Sequence, residues 1–324
     1  MSSIKKLSFY LILYSLSALP LLVIFYFLFF TNFPQTLYTD SIRNIYFDCV
    51  DFVSDKTVYR LKPGECPLNN IEFDTFISSD DNGYRNAKES TANDIIVIGD
   101  SHAHGFGVND KETFSSILSR ELGVEVLNLG MGSYDTVREL EALKQFSSDE
   151  RFVVIQYCDN DYGGNKFFLK NSGVDYSNHI RRGWVSMAKQ YFERKSRGFL
   201  EILKGVPKAI ILTSSNSNYY DMSARNIDDE ASVFASVLAN YSKVLENKTI
   251  IIFESSGWGK NHPKFSIVFS SAISKVILEA DVRVLNSYDF LDRSKYYFLD
   301  GHLNFEGHEK IAAVLGNMIR VEAR

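Results

Sequence analysis

The sequence lacks the patterns that mark several classes of protein. It has no C-x-x-C pair or other metal-ligand spacing among its three cysteines, so no metal is expected. Its net charge is −5, without the basic excess of a typical nucleic-acid-binding chain. It also lacks internal repeats and low-complexity tracts. With 45% hydrophobic and 23% charged residues, the composition is that of an ordinary globular protein, with no nucleic-acid partner and no cofactor expected.

One long apolar run departs from this composition. Residues 7–30 contain no charged side chain, and as a helix they would measure about 36 Å, enough for a hydrocarbon layer of about 30 Å. Lys5 and Lys6 precede the run, which predicts a cytoplasmic N-terminus, residues 1–6. A cleaved signal peptide has a shorter apolar region and an A-x-A-like site, which is absent from Thr31-Asn32-Phe33-Pro34. The run is therefore interpreted as a single transmembrane anchor, with the remaining chain periplasmic or at the cell surface.

The segment after the run, residues 31–91, is rich in turn-forming residues. It is interpreted as a juxtamembrane segment packed on the main domain. Cys49 and Cys66 lie within it, and outside the cytoplasm they could form a disulfide, with two buried free thiols as the alternative. Cys158 stands alone and is interpreted as a packing residue rather than a nucleophile.

From residue 92 onward, short apolar runs alternate with amphipathic segments. This pattern is typical of βαβ units and predicts a parallel sheet covered on both faces. Strands are expected at residues 94–99, 124–128, 151–157, 208–212, 249–253 and 282–285. Helices are expected at residues 113–122, 137–146, 180–203, 231–245, 264–279 and 306–318.

Polar, turn-forming residues follow three successive predicted strands. Ligands of open α/β sheets bind beyond the carboxyl ends of the strands, so these residues are candidates for a site. The three clusters are Gly99-Asp100-Ser101-His102, Asn128-Leu129-Gly130-Met131-Gly132-Ser133 and Cys158-Asp159-Asn160-Asp161. Each could instead be an ordinary turn or helix cap. Together they indicate a serine hydroxyl at the sheet edge, with Asn160 as a candidate oxyanion donor.

A fourth cluster near the C-terminus supplies a candidate base. Serine is a weak nucleophile unless a base accepts its proton, and histidine does so near neutral pH. In Asp300-Gly301-His302, a carboxylate two residues before the imidazole could fix its tautomer and stabilise the imidazolium. The alternative is a histidine in a turn before the last helix. His102 and His104 are interpreted as pocket-wall or supporting residues, and His308 as a packing or surface residue.

The four clusters, in this order, resemble the four sequence blocks of SGNH (GDSL-type) hydrolases. The resemblance covers residues 92–324, and the upstream segment resembles that of anchored bacterial relatives at Pro63-Gly64-Glu65-Cys66 and Asn82-Gly83-Tyr84-Arg85. It implies a three-layer α/β/α sandwich with a five-stranded parallel sheet, of the flavodoxin-like type, preceded here by the anchor.

The resemblance also implies roles for individual residues. Ser101 would attack an acyl carbonyl, His302 would be the base, and Asp300 would orient His302. The oxyanion would be held by the backbone N–H of Ser101, that of Ser133 or Gly132, and the Asn160 side chain. Supporting roles are expected for Asp100, His102, Asp161 and Asn304.

Two features depart from the family pattern. Ser133 occupies a position that is usually glycine, so its local backbone must suit a serine. The Asp-x-His spacing replaces the common Asp-x-x-His and resembles a branch linked to polysaccharide O-acetylation.

Three functions are compatible with the sequence. The first is an extracytoplasmic esterase that removes acyl groups, with O-acetyl as the expected group, from cell-envelope carbohydrate. The second is an O-acyltransferase that passes the same acyl group to a sugar hydroxyl and needs an acyl donor or a donating membrane partner. The third is a catalytically silent carbohydrate-binding protein on the same fold.

Overall fold

The computed structural model describes residues 18–85, 94–146, 150–171, 173–214 and 225–322. The chain divides into two compact units, one of Asn44–Glu193 with Tyr220–Arg324, the other of Met1–Arg43 with Arg194–Tyr219. The larger unit contains the sheet and every candidate site residue.

The centre of the larger unit is a five-stranded parallel sheet, as the sequence predicted. Nine strands are described: β1 Val50–Phe52, β2 Tyr59–Leu61, β3 Gly64–Asn69, β4 Asp74–Ser79, β5 Ile95–Ile98, β6 Val126–Asn128, β7 Phe152–Tyr157, β8 Thr249–Glu254 and β9 Asp281–Val284. The central sheet has the order β6-β5-β7-β8-β9, and all its neighbouring strands are parallel. The strand order reverses at β5, so the carboxyl end of β5 is the switch point where a ligand site is expected.

Helices of the larger unit cover both faces of this sheet. The described helices are α1 Ala18–Phe30, α2 Phe33–Leu37, α3 Ser101–His104, α4 Phe114–Leu122, α5 Thr136–Phe146, α6 Asp161–Lys170, α7 Gly173–Arg197, α8 Phe199–Ser214, α9 Ile227–Asn240, α10 Ser242–Leu245, α11 Phe265–Ile273 and α12 Phe305–Glu322.

Successive side chains of the central strands point to opposite faces, which produces two cores. One core combines Ile96, Ile98, Val153 and Ile155 with residues of α5, α9 and α11, including Val137, Phe234 and Phe269. The other combines Ile95, Val97, Phe152 and Val154 with residues of α4 and α12, including Phe114, Leu118, Ile311 and Leu315. The larger unit is therefore a three-layer α/β/α arrangement.

The segment before β5 forms two antiparallel hairpins, β1-β2 and β3-β4. Cys49 and Cys66 form a disulfide between the turn that precedes β1 and strand β3. Buried side chains of this segment, among them Tyr59, Leu68 and Ile77, belong to the same core as α5 and α9. The segment is thus built into the larger unit.

The predicted strand at residues 208–212 is wrong, because these residues lie in helix α8. A short apolar run such as Ala209-Ile210-Ile211-Leu212 does not distinguish a buried strand from a helix by its periodicity. The single helix predicted for residues 180–203 is in fact α7 followed by α8, with a break at Gly198, whose φ is +56°.

The smaller unit contains α1, α2, the π-helical turn Tyr38–Ile42 and α8. Within the described residues, no single helix is both long and apolar enough to cross a bilayer. Two consecutive helical segments, Ala18–Phe30 and Phe33–Cys49, are long and apolar enough only when taken together, and the chain bends by 80° at the break between them. Residues 7–17 of the predicted anchor lie outside the described residues.

Candidate active site

The turn after β5 holds Ser101 at the carboxyl edge of the sheet. Gly99 has a φ of +154°, and a Cβ there would lie 2.6 Å from Gln156 Oε1, so the turn requires glycine. Asp100 then caps the short helix α3, because its carboxylate accepts a hydrogen bond from the His102 amide at 2.9 Å. Ser101 is the first residue of that helix.

Ser101, His302 and Asp300 form one hydrogen-bonded series. The distance between Ser101 Oγ and His302 Nε2 is 2.7 Å, and His302 Nδ1 is hydrogen-bonded to Asp300 Oδ1. The Asp300 side chain is fully buried, whereas that of His302 is 14% exposed, so the imidazole lies between the protein interior and solvent. The structure therefore brings together the three residues predicted as nucleophile, base and orienting acid.

The Asp-x-His spacing allows the Asp300 carboxylate to reach His302 Nδ1 because Gly301, between them, adopts a φ of +82°. A Cβ at Gly301 would lie 2.5 Å from the Trp258 ring, so this position has room only for glycine. The Trp258 amide donates to the Gly301 carbonyl at 2.9 Å, and its indole Nε1 donates to the Phe298 carbonyl at 3.1 Å. Trp258 thus packs against this turn and forms two hydrogen bonds with it.

The predicted oxyanion donors lie at the ends of β6 and β7. Ser133 has a φ of +60°, a left-handed backbone conformation that glycine adopts more readily than serine. A Cβ at Gly132 would lie 3.7 Å from Ser101 Cβ, which places Gly132 beside the nucleophile. Asn160 Nδ2 donates to Asp100 Oδ2 at 3.1 Å, linking the third block to the residue before Ser101.

The four residues predicted to support the site have different positions. Asp100 contacts both α3 and Asn160, as described above. The buried His102 ring lies 5.1 Å from the His302 ring, and burial lowers the pKa of His102 to about 4. Asp161 is buried and accepts a hydrogen bond from the Cys158 amide at 3.3 Å; burial raises its pKa well above the usual range. Asn304 lies apart from the triad: it accepts from the Gly307 amide at 3.0 Å and donates to the Ser294 carbonyl at 2.8 Å, at the start of α12.

Cys158 is buried behind the site. Burial raises the pKa of its thiol well above the usual range, so it remains protonated at neutral pH. Its Sγ, a carboxylate oxygen of Asp100 and a ring nitrogen of His102 lie within 4.8 Å of one another, a grouping that could hold a metal ion. However, both Asp100 oxygens already accept hydrogen bonds and a metal would require the thiolate, so the residues fit packing better than ligation.

Three contributors to the site were missed by the sequence analysis. Gln156 Oε1 accepts hydrogen bonds from the amides of Asp100 and Ala103 at 3.0 and 3.2 Å. A polar residue within the apolar strand β7 was the sequence signal that could have identified Gln156. The Phe106 ring lies 4.5 Å from the His302 ring. Glu72 accepts hydrogen bonds from the loop that ends at Asp300, and no local sequence signal marks it.

Fold and site together define an α/β protein with a Ser–His–Asp series at the switch point of a parallel sheet. No family model matches this chain, and no curated protein is similar to it. Among solved structures, it is similar to SGNH/GDSL-type hydrolases, the group that the four sequence blocks predicted.

Three of these structures illustrate the similarity. A carbohydrate esterase family 2 enzyme with a carbohydrate-binding domain, from Corynascus thermopiles (Myceliophthora fergusii), is 11% identical, with 73% of this chain and 68% of that chain covered and a TM-score of 0.41. TesA is 11% identical, with 68% and 93% covered and a TM-score of 0.36. A protein assigned to the G-D-S-L lipolytic family, from Desulfitobacterium hafniense, is 13% identical, with 69% and 97% covered and a TM-score of 0.31. At identities this low, only the contacts of the site itself bear on the function of this chain.

Proposed function

We propose that this chain is a serine ester hydrolase in which Ser101 forms an acyl-enzyme. The observation that carries the proposal is the 2.7 Å contact between Ser101 Oγ and His302 Nε2. The two residues are 201 positions apart in the sequence. A nucleophile within hydrogen-bonding distance of a base, itself oriented by a buried carboxylate, is the arrangement that acyl transfer through serine requires.

The reaction follows from these contacts. His302 Nε2 takes the proton of Ser101 as Oγ attacks the ester carbonyl, and Asp300 stabilises the imidazolium that forms. The imidazolium then protonates the departing alcohol as the C–O bond breaks, which leaves an acyl group on Ser101. A water molecule, deprotonated by His302, attacks the acyl-serine; proton return to Oγ releases the acid and restores the enzyme.

The oxyanion would be held by three donors: the Ser101 amide, an amide of Gly132 or Ser133, and the Asn160 side chain. An oxyanion-hole donor typically lowers the barrier by about 3–4 kcal/mol. The support for this assignment is the position of Gly132 beside Ser101, the left-handed backbone of Ser133, and the contact between Asn160 and Asp100.

We further propose that the substrate is an O-acetyl or other short acyl ester of cell-envelope carbohydrate, outside the cytoplasm. The uncharged run at residues 7–30 and the exposed apolar side chains of α1 support a membrane tether. The Cys49–Cys66 disulfide is typical of an oxidising compartment. An O-acyltransferase with a membrane acyl-donor partner is the second candidate, favoured by the Asp300-Gly301-His302 spacing.

The test is a substrate screen with the full chain in detergent. Acetylated sugars and p-nitrophenyl esters of increasing acyl length are offered to the wild type, Ser101→Ala and His302→Ala. We expect acetyl esters to be cleaved fastest, no turnover by Ser101→Ala, and a loss of at least about 10³-fold in His302→Ala.

The matched control is His179→Ala, which removes an exposed histidine of α7 that stacks on Phe167. Near-normal turnover by His302→Ala would refute the assignment. Addition of a sugar acceptor separates the two candidates, because a transferase forms an acylated sugar where a hydrolase releases the free acid.

A further inference from the structure

The loop that leads into the triad is held by a carboxylate from the β3-β4 hairpin. Glu72 lies in the turn between these strands, and its two oxygens accept hydrogen bonds from three successive backbone amides. Phe298 donates to Oε1, and Leu299 and Asp300 both donate to Oε2, each at 2.8 Å. Glu72 is more than 220 residues from this loop in the sequence.

These contacts are strong because the acceptor is a carboxylate. Hydrogen bonds to an ionised acceptor are shorter and stronger than neutral ones, and three amides aimed at one anion fix the backbone in one conformation. The third donor is the amide of Asp300 itself, whose side chain is bonded to His302. The position of the triad acid is therefore linked directly to the hairpin.

The residue next to Glu72, Phe73, contacts a ring that packs on the imidazole of His302. The Phe73 ring lies 5.0 Å from that of Tyr297 and 5.7 Å from that of Phe106, and Phe106 lies 4.5 Å from the His302 ring. The Tyr297 hydroxyl also donates to the Gly107 carbonyl at 2.7 Å, in the turn after α3. The hairpin tip thus contacts the loops that carry both His302 and Ser101.

We propose that Glu72 is a positioning residue for the reaction, and that the disulfide-bonded hairpin is part of the catalytic apparatus. Glu72 does not touch the reacting atoms. It fixes the backbone of Phe298–Asp300 so that the Asp300 carboxylate meets His302 Nδ1, and without it the imidazole loses its fixed orientation. This inference rests on the proposed function, because the orientation matters only if His302 acts as a base.

The test compares Glu72→Gln and Glu72→Ala with Glu65→Gln in the full chain. Glu65 is an exposed residue of β3 in the same hairpin, so it controls for the loss of a negative charge there. We expect Glu72→Ala to lower kcat about 10- to 100-fold with KM nearly unchanged, as a misplaced catalytic group does. Glu72→Gln keeps one acceptor oxygen and should fall between Glu72→Ala and the wild type, and Glu65→Gln should match the wild type.

Hydrogen exchange of the amides of Phe298, Leu299 and Asp300 gives a second readout that does not depend on activity. These amides should exchange slowly in the wild type and at least about 10-fold faster in Glu72→Ala, with core amides unchanged. Should Glu72→Ala fail to fold, the near-isosteric Glu72→Gln provides both readouts.

Two outcomes would overturn the proposal. One is a kcat of Glu72→Ala equal to that of the wild type, and the other is unchanged exchange of the three amides. Failure of the proposed function looks different, because the wild type and Glu65→Gln would then also cleave no ester. In that case the exchange experiment still decides whether Glu72 holds the loop.

Discussion

His102 is the histidine next to the nucleophile, and its environment keeps it uncharged. Its side chain is buried, and burial lowers its pKa to about 4, from 6.5 in an exposed histidine. His308, whose Nδ1 accepts a hydrogen bond from the Phe114 amide at 3.1 Å, has its pKa lowered by burial to about 3. Both rings are therefore neutral in the folded protein at neutral pH.

These two histidines make stability depend on pH. Between about pH 6.5 and pH 4, an unfolded chain binds a proton at His102 that the folded chain does not bind, so the free energy of unfolding falls as the pH falls. For His102 alone the loss is about 3 kcal/mol at pH 4. Urea unfolding at pH 7 and pH 4.5, compared between the wild type and a variant without this histidine, isolates the contribution of His102, because buried acids such as Asp161 have a raised pKa and act in the opposite direction.

Replacement of the titrating group should weaken this dependence. We expect His102→Gln to lose less stability than the wild type between the two pH values, while His179→Gln, on the surface of α7, should behave like the wild type. Identical pH dependence in His102→Gln and the wild type would show that His102 does not remain neutral in the folded state.

The three residues of the Ser–His–Asp series could be predicted because each follows a buried strand or lies in a recognisable turn. Ser101 comes directly after β5, and Asp300 and His302 share one glycine-containing loop. Glu72 could not be predicted, because its role depends on a hairpin meeting a loop more than 220 positions away. The position of Asn304 in the helix start, rather than beside the triad, also depended on the three-dimensional course of the loop.

At the scale of elements, the disulfide fixes the base of the segment that supplies Glu72. Cys49 is the last residue of the turn Phe47–Cys49, Cys66 lies in β3, and their separation is 17 residues. A bridge that closes a loop of about this length contributes about 3 kcal/mol by restricting the unfolded chain. The β3-β4 hairpin is therefore expected to be more stable in the oxidised protein.

The double variant Cys49→Ser/Cys66→Ser should lower the free energy of unfolding by about 2–4 kcal/mol, measured by urea unfolding. Reduction of the wild type with dithiothreitol should give the same loss, and the reductant should leave the double variant unchanged. Equal stability of oxidised and reduced wild type would contradict the expected contribution of the bridge.

Elements were predictable where their periodicity was clear. The amphipathic helix α4 and the fully buried strand β7 lie where the sequence indicated, within a few residues. The run at residues 208–212 was ambiguous because it is apolar and short, and its helical conformation depends on the smaller unit, in which Gly205 comes close to Ser41.

At the scale of the whole molecule, the fold places four separate sequence blocks at one edge of one sheet. Parallel strands all end at that edge, and the reversal of strand order at β5 opens it for a ligand. The β3-β4 hairpin, which precedes β5 in the sequence, also contributes to the site, because it supports the loop that carries Asp300 and His302. The larger unit is thus organised around one candidate site.

The most direct test of the central claim is covalent labelling of the full chain with a fluorophosphonate, followed by mass spectrometry of the labelled peptide. The probe reacts with a serine only when a base activates its hydroxyl and an oxyanion hole receives the phosphoryl oxygen. We predict that the wild type is labelled at Ser101, that Ser101→Ala is not labelled, and that His302→Ala is labelled far more slowly. An unlabelled wild type, or labelling of His302→Ala at the wild-type rate, would contradict the account.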